Sequence, residues 1–205
     1  SRRARVTKRA TPPLMILHLP HASRCIPAEY RGQFVVGDQE LDAELDRLTD
    51  HFTDGLFAID DPRVARVSFP VSRLLVDPER FEDDDAEPMA ARGQGVIYER
   101  TCNGRPLRRR LTGAERQHQL GAWYRPHHER LVEFTRRALE VHGRALIVDA
   151  HSFPAFPLPV DLDQQADRPD ICLGTDPFHT PPSLVEVLRR VYEDAGLTLI
   201  LDRPY

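Results

Sequence analysis

Leu14-Met15-Ile16-Leu17-His18-Leu19-Pro20-His21, and far downstream Ala145-Leu146-Ile147-Val148-Asp149-Ala150-His151-Ser152, are the stretches from which the fold is read. Each is a short apolar run closed by proline or by polar residues, the pattern of a strand buried on both faces, as in a parallel sheet. Each also delivers a histidine just beyond its carboxyl end.

Working outward, the spacing from Asp38 predicts a helix, because Leu41, Leu45, Leu48, Phe52 and Leu56 form one apolar stripe while Asp46, Asp50 and Asp54 fall on the opposite face. Val64 to Val76 is β-rich but interrupted by Pro70, so two strand pieces joined by a bend are expected. Residues 77–113 read as irregular, and a loop of that length in a compact domain is often functional. A long helical region follows, capped by Thr112 and stopped by Gly143, with Leu120, Trp123, Tyr124, Leu131, Phe134 and Leu139 inward and Pro126 kinking or dividing it. A last helix is expected from Pro181 to Ala195, with Thr180 as cap, Leu184, Val187, Leu188 and Val191 inward and Gly196 as stop; a strand over residues 197–201 ends the chain. Apolar strands alternating with amphipathic helices predict an α/β fold, a mostly parallel or mixed central sheet with helices on both faces. The expected organisation is a flexible basic tail, residues 1–13, and a single domain, residues 14–205.

Composition excludes several classes of function. The chain has 205 residues, 40% of them apolar, enough for a core without disulfides or a structural metal. Lys and Arg number 28 against 32 Asp and Glu, a net charge of −4, so no global positive field exists to hold nucleic acid or an anionic membrane. No apolar run approaches the length of about 18 residues that a membrane span needs, and Ser1 to Ala10 carries five basic residues without the apolar stretch of a secretory signal. A cytoplasmic protein acting on a small molecule is the expectation. Cys25, Cys102 and Cys172 are too few and too widely spaced for a disulfide framework or a zinc finger.

In open α/β sheets ligands bind beyond the carboxyl ends of the strands, where His21, Arg73 and His151 all fall. Two histidines and a carboxylate are what a catalytic zinc site requires, with one position left for water. Asp149, two residues before His151, is placed to orient that imidazole. The alternative reading is that these are ordinary strand-end histidines, and His18, His51, His118, His127, His142 and His179 read as strand, helix or surface residues. Arg73 and Arg80 are suited to pairing bidentately with substrate carboxylates; equally, they can neutralise the acidic stretch from Glu82 to Asp85.

Pro20-His21-Ala22-Ser23 with Ile26-Pro27, Leu48-Thr49-Asp50-His51-Phe52-Thr53-Asp54, Ser72-Arg73-Leu74-Leu75-Val76-Asp77-Pro78-Glu79-Arg80, Gly93-Gln94-Gly95-Val96-Ile97-Tyr98 and Asp149-Ala150-His151-Ser152 follow one another along nearly the whole chain from Leu14. In that order they resemble the successive motifs of the N-formylglutamate amidohydrolase family. The resemblance implies a zinc-dependent amidohydrolase with a fold related to the carboxypeptidase and aspartoacylase group. Its substrate would be a small anionic N-acyl amino acid such as N-formyl-L-glutamate. It implies metal ligation by His21 and His151, with Asp50 as third ligand and Glu29 as the other choice. It further implies that Arg73 and Arg80 polarise the scissile carbonyl and hold the substrate carboxylate, and that His128 contacts substrate, although helix packing accounts for His128 equally well. Glu79 departs from the asparagine often found before the second arginine. Related sequences continue past the position of Tyr205 into a strand carrying a general-base glutamate, so the expectation is a sheet lacking that strand. A carboxypeptidase-like peptidase and a non-catalytic dicarboxylate-binding protein are the competing readings.

Overall fold

The computed structural model describes residues 12–204; residues 1–11, most of the expected basic tail, and Tyr205 lie outside the described residues. Two compact units are present, one ending at Phe153 and the other beginning at Pro154.

The first unit is built on a three-stranded parallel sheet in the order β2-β1-β3, with β1 Met15–Leu19, β2 Val64–Ser68 and β3 Leu146–Asp149. Helix α4, Arg125–His142, packs on β1 and β2. Side chains alternate across the pleat of β1: Ile16 meets Val67, Ala138, Leu131 and Phe134, while Leu17 and Leu19 meet Ala150, Phe57, Val64 and Val148 on the other face. Ile16, Leu17 and Leu19 are sealed from solvent, each worth about 1.5–3 kcal/mol of burial. Because the strands are parallel, all three carboxyl ends open at one edge. There the chain continues from β1 to His21, from β2 to Arg73 and Asp77, and from β3 to His151.

Several local expectations are corrected. The stripe from Leu41 to Leu56 is not one helix: α1 spans Asp38–Leu48 and α2 only Thr53–Leu56. Thr49 turns extended at φ −88° and ψ 135°, and Phe52 is left-handed at φ 66°. Leu41 and Leu48 are buried, whereas Phe52 and Leu56 are 79% and 71% exposed. The break is held by hydrogen bonds that helical geometry would forbid, above all Asp50 N–H to the carbonyl of His21 at 3.0 Å. β2 stops at Ser68, and beyond Pro70 there is no second strand piece but a turn in which Leu75 N–H bonds Ser72 O. Leu74, Leu75 and Val76 are nevertheless fully buried. Within the first unit β3 pairs with β1 alone.

The long helical region divides as its proline demands. α3, Gly113–Gln119, opens on a capping box between Thr112 and Glu115, then Leu120–Tyr124 widens into a π turn in which Arg125 N–H reaches back to Leu120 O. Pro126 cannot donate to the carbonyl four residues earlier and its ring would strike it, a conflict the wider turn relieves. Gly143 ends α4 at φ 68°. Ala138, not the exposed Leu139, occupies the buried position.

The second unit holds two short parallel strands, β4 Ile171–Leu173 and β5 Leu199–Leu201, with α5 Pro182–Asp194 packed on β5. Thr180 does not cap α5, because its hydroxyl accepts from Asp176 N–H, and Val187 and Val191 face solvent.

Candidate metal centre

Two loops leaving the sheet edge and the break between α1 and α2 bring His21, His151 and Asp50 together, each offering an atom within 4.8 Å of the others. Asp50 Oδ2 lies 2.8 Å from His151 Nδ1 and 3.9 Å from His21 Nδ1. The helix break makes this possible: on a continuous helix Asp50 would face solvent, whereas here it is 9% exposed. Thr53 donates its hydroxyl to Asp50 O, and Ser152 donates its own to His51 O, fastening the break to the loop after β3.

Each imidazole turns its other nitrogen to a carboxylate. His21 Nε2 lies 2.9 Å from Asp77 Oδ1 and 3.2 Å from Glu79 Oε2; His151 Nε2 lies 3.1 Å from Glu79 Oε1 and 3.5 Å from Asp149 Oδ1. A carboxylate only accepts, so Nε2 of His21 carries the proton and Nδ1 presents its lone pair. That Nδ1 is buried and has no hydrogen-bond partner. A buried polar atom without a partner is costly, and a cation beside Asp50 would satisfy it.

Asp77 is itself firmly held. It accepts from Arg73 Nη2 at 2.8 Å and Nε at 3.1 Å, from the Tyr98 hydroxyl at 2.7 Å and from Glu79 N–H at 3.0 Å. Burial pushes the Asp77 carboxyl up, but Arg73, His21 and Arg80 together hold it well below the usual carboxylate range. Burial would likewise depress His151, yet hydrogen bonds to Asp149, Asp50 and Glu79 outweigh it and push the imidazole up to about 12.

The other expected residues fall as follows. Arg73 is half-enclosed and committed to Asp77 and Tyr98. Arg80 lies farther from Asp77, its Nε 3.7 Å away, buried and without a hydrogen-bond partner. His128 donates from Nε2 to Pro78 O at 2.9 Å, beside Tyr124, whose hydroxyl donates to Arg80 O. Glu29 is exposed on a 3₁₀ turn, Ala28–Gln33, and belongs to none of the ligand groupings among the described residues.

Sequence reasoning overlooked His18 and His127 as part of this region. His18 Nδ1 donates to Asp149 Oδ1 at 2.7 Å, and His18 Nε2 meets His127 Nε2 at 2.8 Å. Burial and the neighbouring His18 push His127 down to about 3, so it stays neutral and can donate to His18. One signal was available: in β1 His18 shares the pleat face of Ile16, so an imidazole there is buried and requires partners. Nothing comparable marked His127, whose role depends on how α4 crosses the sheet.

A family model described as N-formylglutamate amidohydrolase matches residues 14–205. The solved N-formylglutamate amidohydrolase from Ralstonia eutropha JMP134 is similar at a TM-score of 0.78 and 25% identity, over 96% of this chain and 75% of that one. The gene product Atu2144 from Agrobacterium tumefaciens is similar in fold, at a TM-score of 0.65 and 21% identity, over 96% of this chain and 71% of that one. No curated protein matches the chain.

Proposed function

The chain belongs to the N-formylglutamate amidohydrolase family, and from that premise we propose that it is a zinc-dependent amidohydrolase that removes the acyl group of a small, anionic N-acyl amino acid, N-formyl-L-glutamate being the first substrate to test. The observation that carries the proposal is the buried, unpartnered Nδ1 of His21 beside Asp50 and His151. Two imidazole nitrogens and one carboxylate oxygen are a donor set that suits zinc. His21, Asp50 and His151 would hold the ion, which supplies Lewis acidity and a bound water of lowered pKa.

The surrounding side chains divide the remaining work. Asp77 and Glu79 fix the ring orientation of His21, and Glu79 and Asp149 that of His151. Arg73 holds Asp77 in place. Arg80, which stands 3.7 Å from Asp77 and 4.0 Å from Glu87 with no hydrogen bond from its Nε, is the guanidinium left to take a substrate carboxylate or the oxygen of the acyl carbonyl. Such an arginine favours substrates that carry a free carboxylate near the scissile amide.

Release of formate from N-formyl-L-glutamate by the zinc-loaded protein, abolished by chelation and restored by added zinc, is the expected result. Hydrolysis of short peptides without formate release would replace this reading with a peptidase. Tight binding of glutamate with no turnover of either would replace it with a dicarboxylate-binding protein.

A further inference from the structure

We infer that Glu79 positions the metal centre by bridging Nε2 of both histidines, so that each ring turns its Nδ1 towards Asp50, a role that rests on the metal reading above. Its two carboxylate oxygens face one imidazole each, Oε1 lying 3.1 Å from His151 Nε2 and Oε2 3.2 Å from His21 Nε2. Among the described residues it is the one side chain that touches Nε2 of both rings. Of these two rings Asp77 touches only that of His21, and Asp149 only that of His151, at the longer distance of 3.5 Å.

The residue type matters because two N–H donors converge on one side chain. A carboxylate meets them with two acceptors. An amide of the same shape offers a single acceptor and an NH₂ group that can only donate. Glutamine at this position would therefore set a donor against one imidazole N–H, or draw that ring's proton onto Nδ1 and remove the lone pair a metal needs. Asp77 still secures His21, so the loss falls mainly on His151.

Glu79 is built to stay where it is. Its own N–H donates to Asp77 Oδ1 at 3.0 Å, and the peptide carbonyls on either side are gripped from the helical region, Pro78 O by His128 Nε2 at 2.9 Å and Arg80 O by the Tyr124 hydroxyl at 3.0 Å. The two gripping rings lie against each other with centroids 4.2 Å apart, one turn apart across the junction between the π turn and α4. A turn of loop is thereby fixed at both ends while its middle side chain spans the two histidines.

Chelator competition with zinc tests this on the wild type and on Glu79→Gln. The variant should bind zinc roughly 10–100-fold more weakly, the range found when a metal ligand loses its outer hydrogen-bond partner, with the thermal midpoint of the metal-free protein preserved. Imidazole ¹⁵N spectra of the zinc-loaded wild type should show Nδ1 metallated and Nε2 protonated at both His21 and His151, a result that stands whether or not the variant folds. Zinc affinity unchanged in Glu79→Gln, or metal on Nε2 in the wild type, overturns the assignment to Glu79 while leaving a metal centre in place. A wild type that takes up no zinc removes the metal reading itself, and this inference with it.

Discussion

Asp50 lies opposite the Leu41–Leu56 stripe if that stripe is one helix, and beside two imidazoles once the chain breaks at Thr49. The break decides which surroundings the carboxylate has. The arginines divide in the same residue-by-residue way. Arg73→Lys gives up the fork that holds Asp77, and it should cost about 1.5–3 kcal/mol of stability, the worth of hydrogen bonds to a charged group. Arg80→Lys should leave the thermal midpoint near that of the wild type and raise KM for an anionic substrate about tenfold, since one lost charge-assisted hydrogen bond is of that order. Equal loss of stability in both variants would contradict this division. His127 yields a pH prediction. Its folded pKa of about 3 lies below the ordinary value near 6.5, so the unfolded chain binds its proton more readily. Its stabilising contribution is complete above about pH 6.5 and is lost as pH falls towards 3. Denaturant titrations should show His127→Asn losing less stability between those pH values than the wild type loses.

At the scale of elements, periodicity made β1, the start of α1, the Thr112 cap, the Gly143 stop and the Gly196 stop legible, because each is decided by side chains within a turn or two of itself. It misjudged what distant contacts decide. The stripe beyond Leu48 keeps helical spacing, yet Asp50 N–H is taken by His21 O, and no local pattern records that bond. β4 is three residues long, too short to show any period. Two measurements follow. Thr112→Ala removes the hydroxyl that accepts from Glu115 N–H, the side-chain half of the capping box, and should cost about 1 kcal/mol in urea unfolding; no change would mean that the N-terminus of α3 is already frayed. Phe52→Gly should instead stabilise by about 0.5–1 kcal/mol. Relief of a left-handed, exposed non-glycine residue, about 1–2 kcal/mol, exceeds the added chain entropy of glycine, about 0.5–1 kcal/mol. A loss of stability would show that Phe52 makes contacts the break depends on.

For the molecule as a whole, the parallel sheet does what its topology requires: three strands end at one edge, and side chains separated by 130 residues of sequence, His21 and His151, meet there. That convergence was legible from apolar runs ending in histidine. The carboxylate ring around it was not, because Asp77 and Glu79 sit among many acidic residues and only packing separates them from solvated neighbours such as Asp83 and Asp85. Zinc at about a hundred times its dissociation constant should stabilise the protein by about 2.7 kcal/mol, because it binds only the folded centre. Ligation of a metal ion by His21 Nδ1, Asp50 Oδ2 and His151 Nδ1 would be visible in an anomalous difference map collected at the zinc edge from crystals grown with zinc. One strong peak within about 2.0–2.2 Å of those three atoms is the expected result. The absence of a peak among them, or a peak bonded to the Nε2 atoms and Glu79, would contradict it.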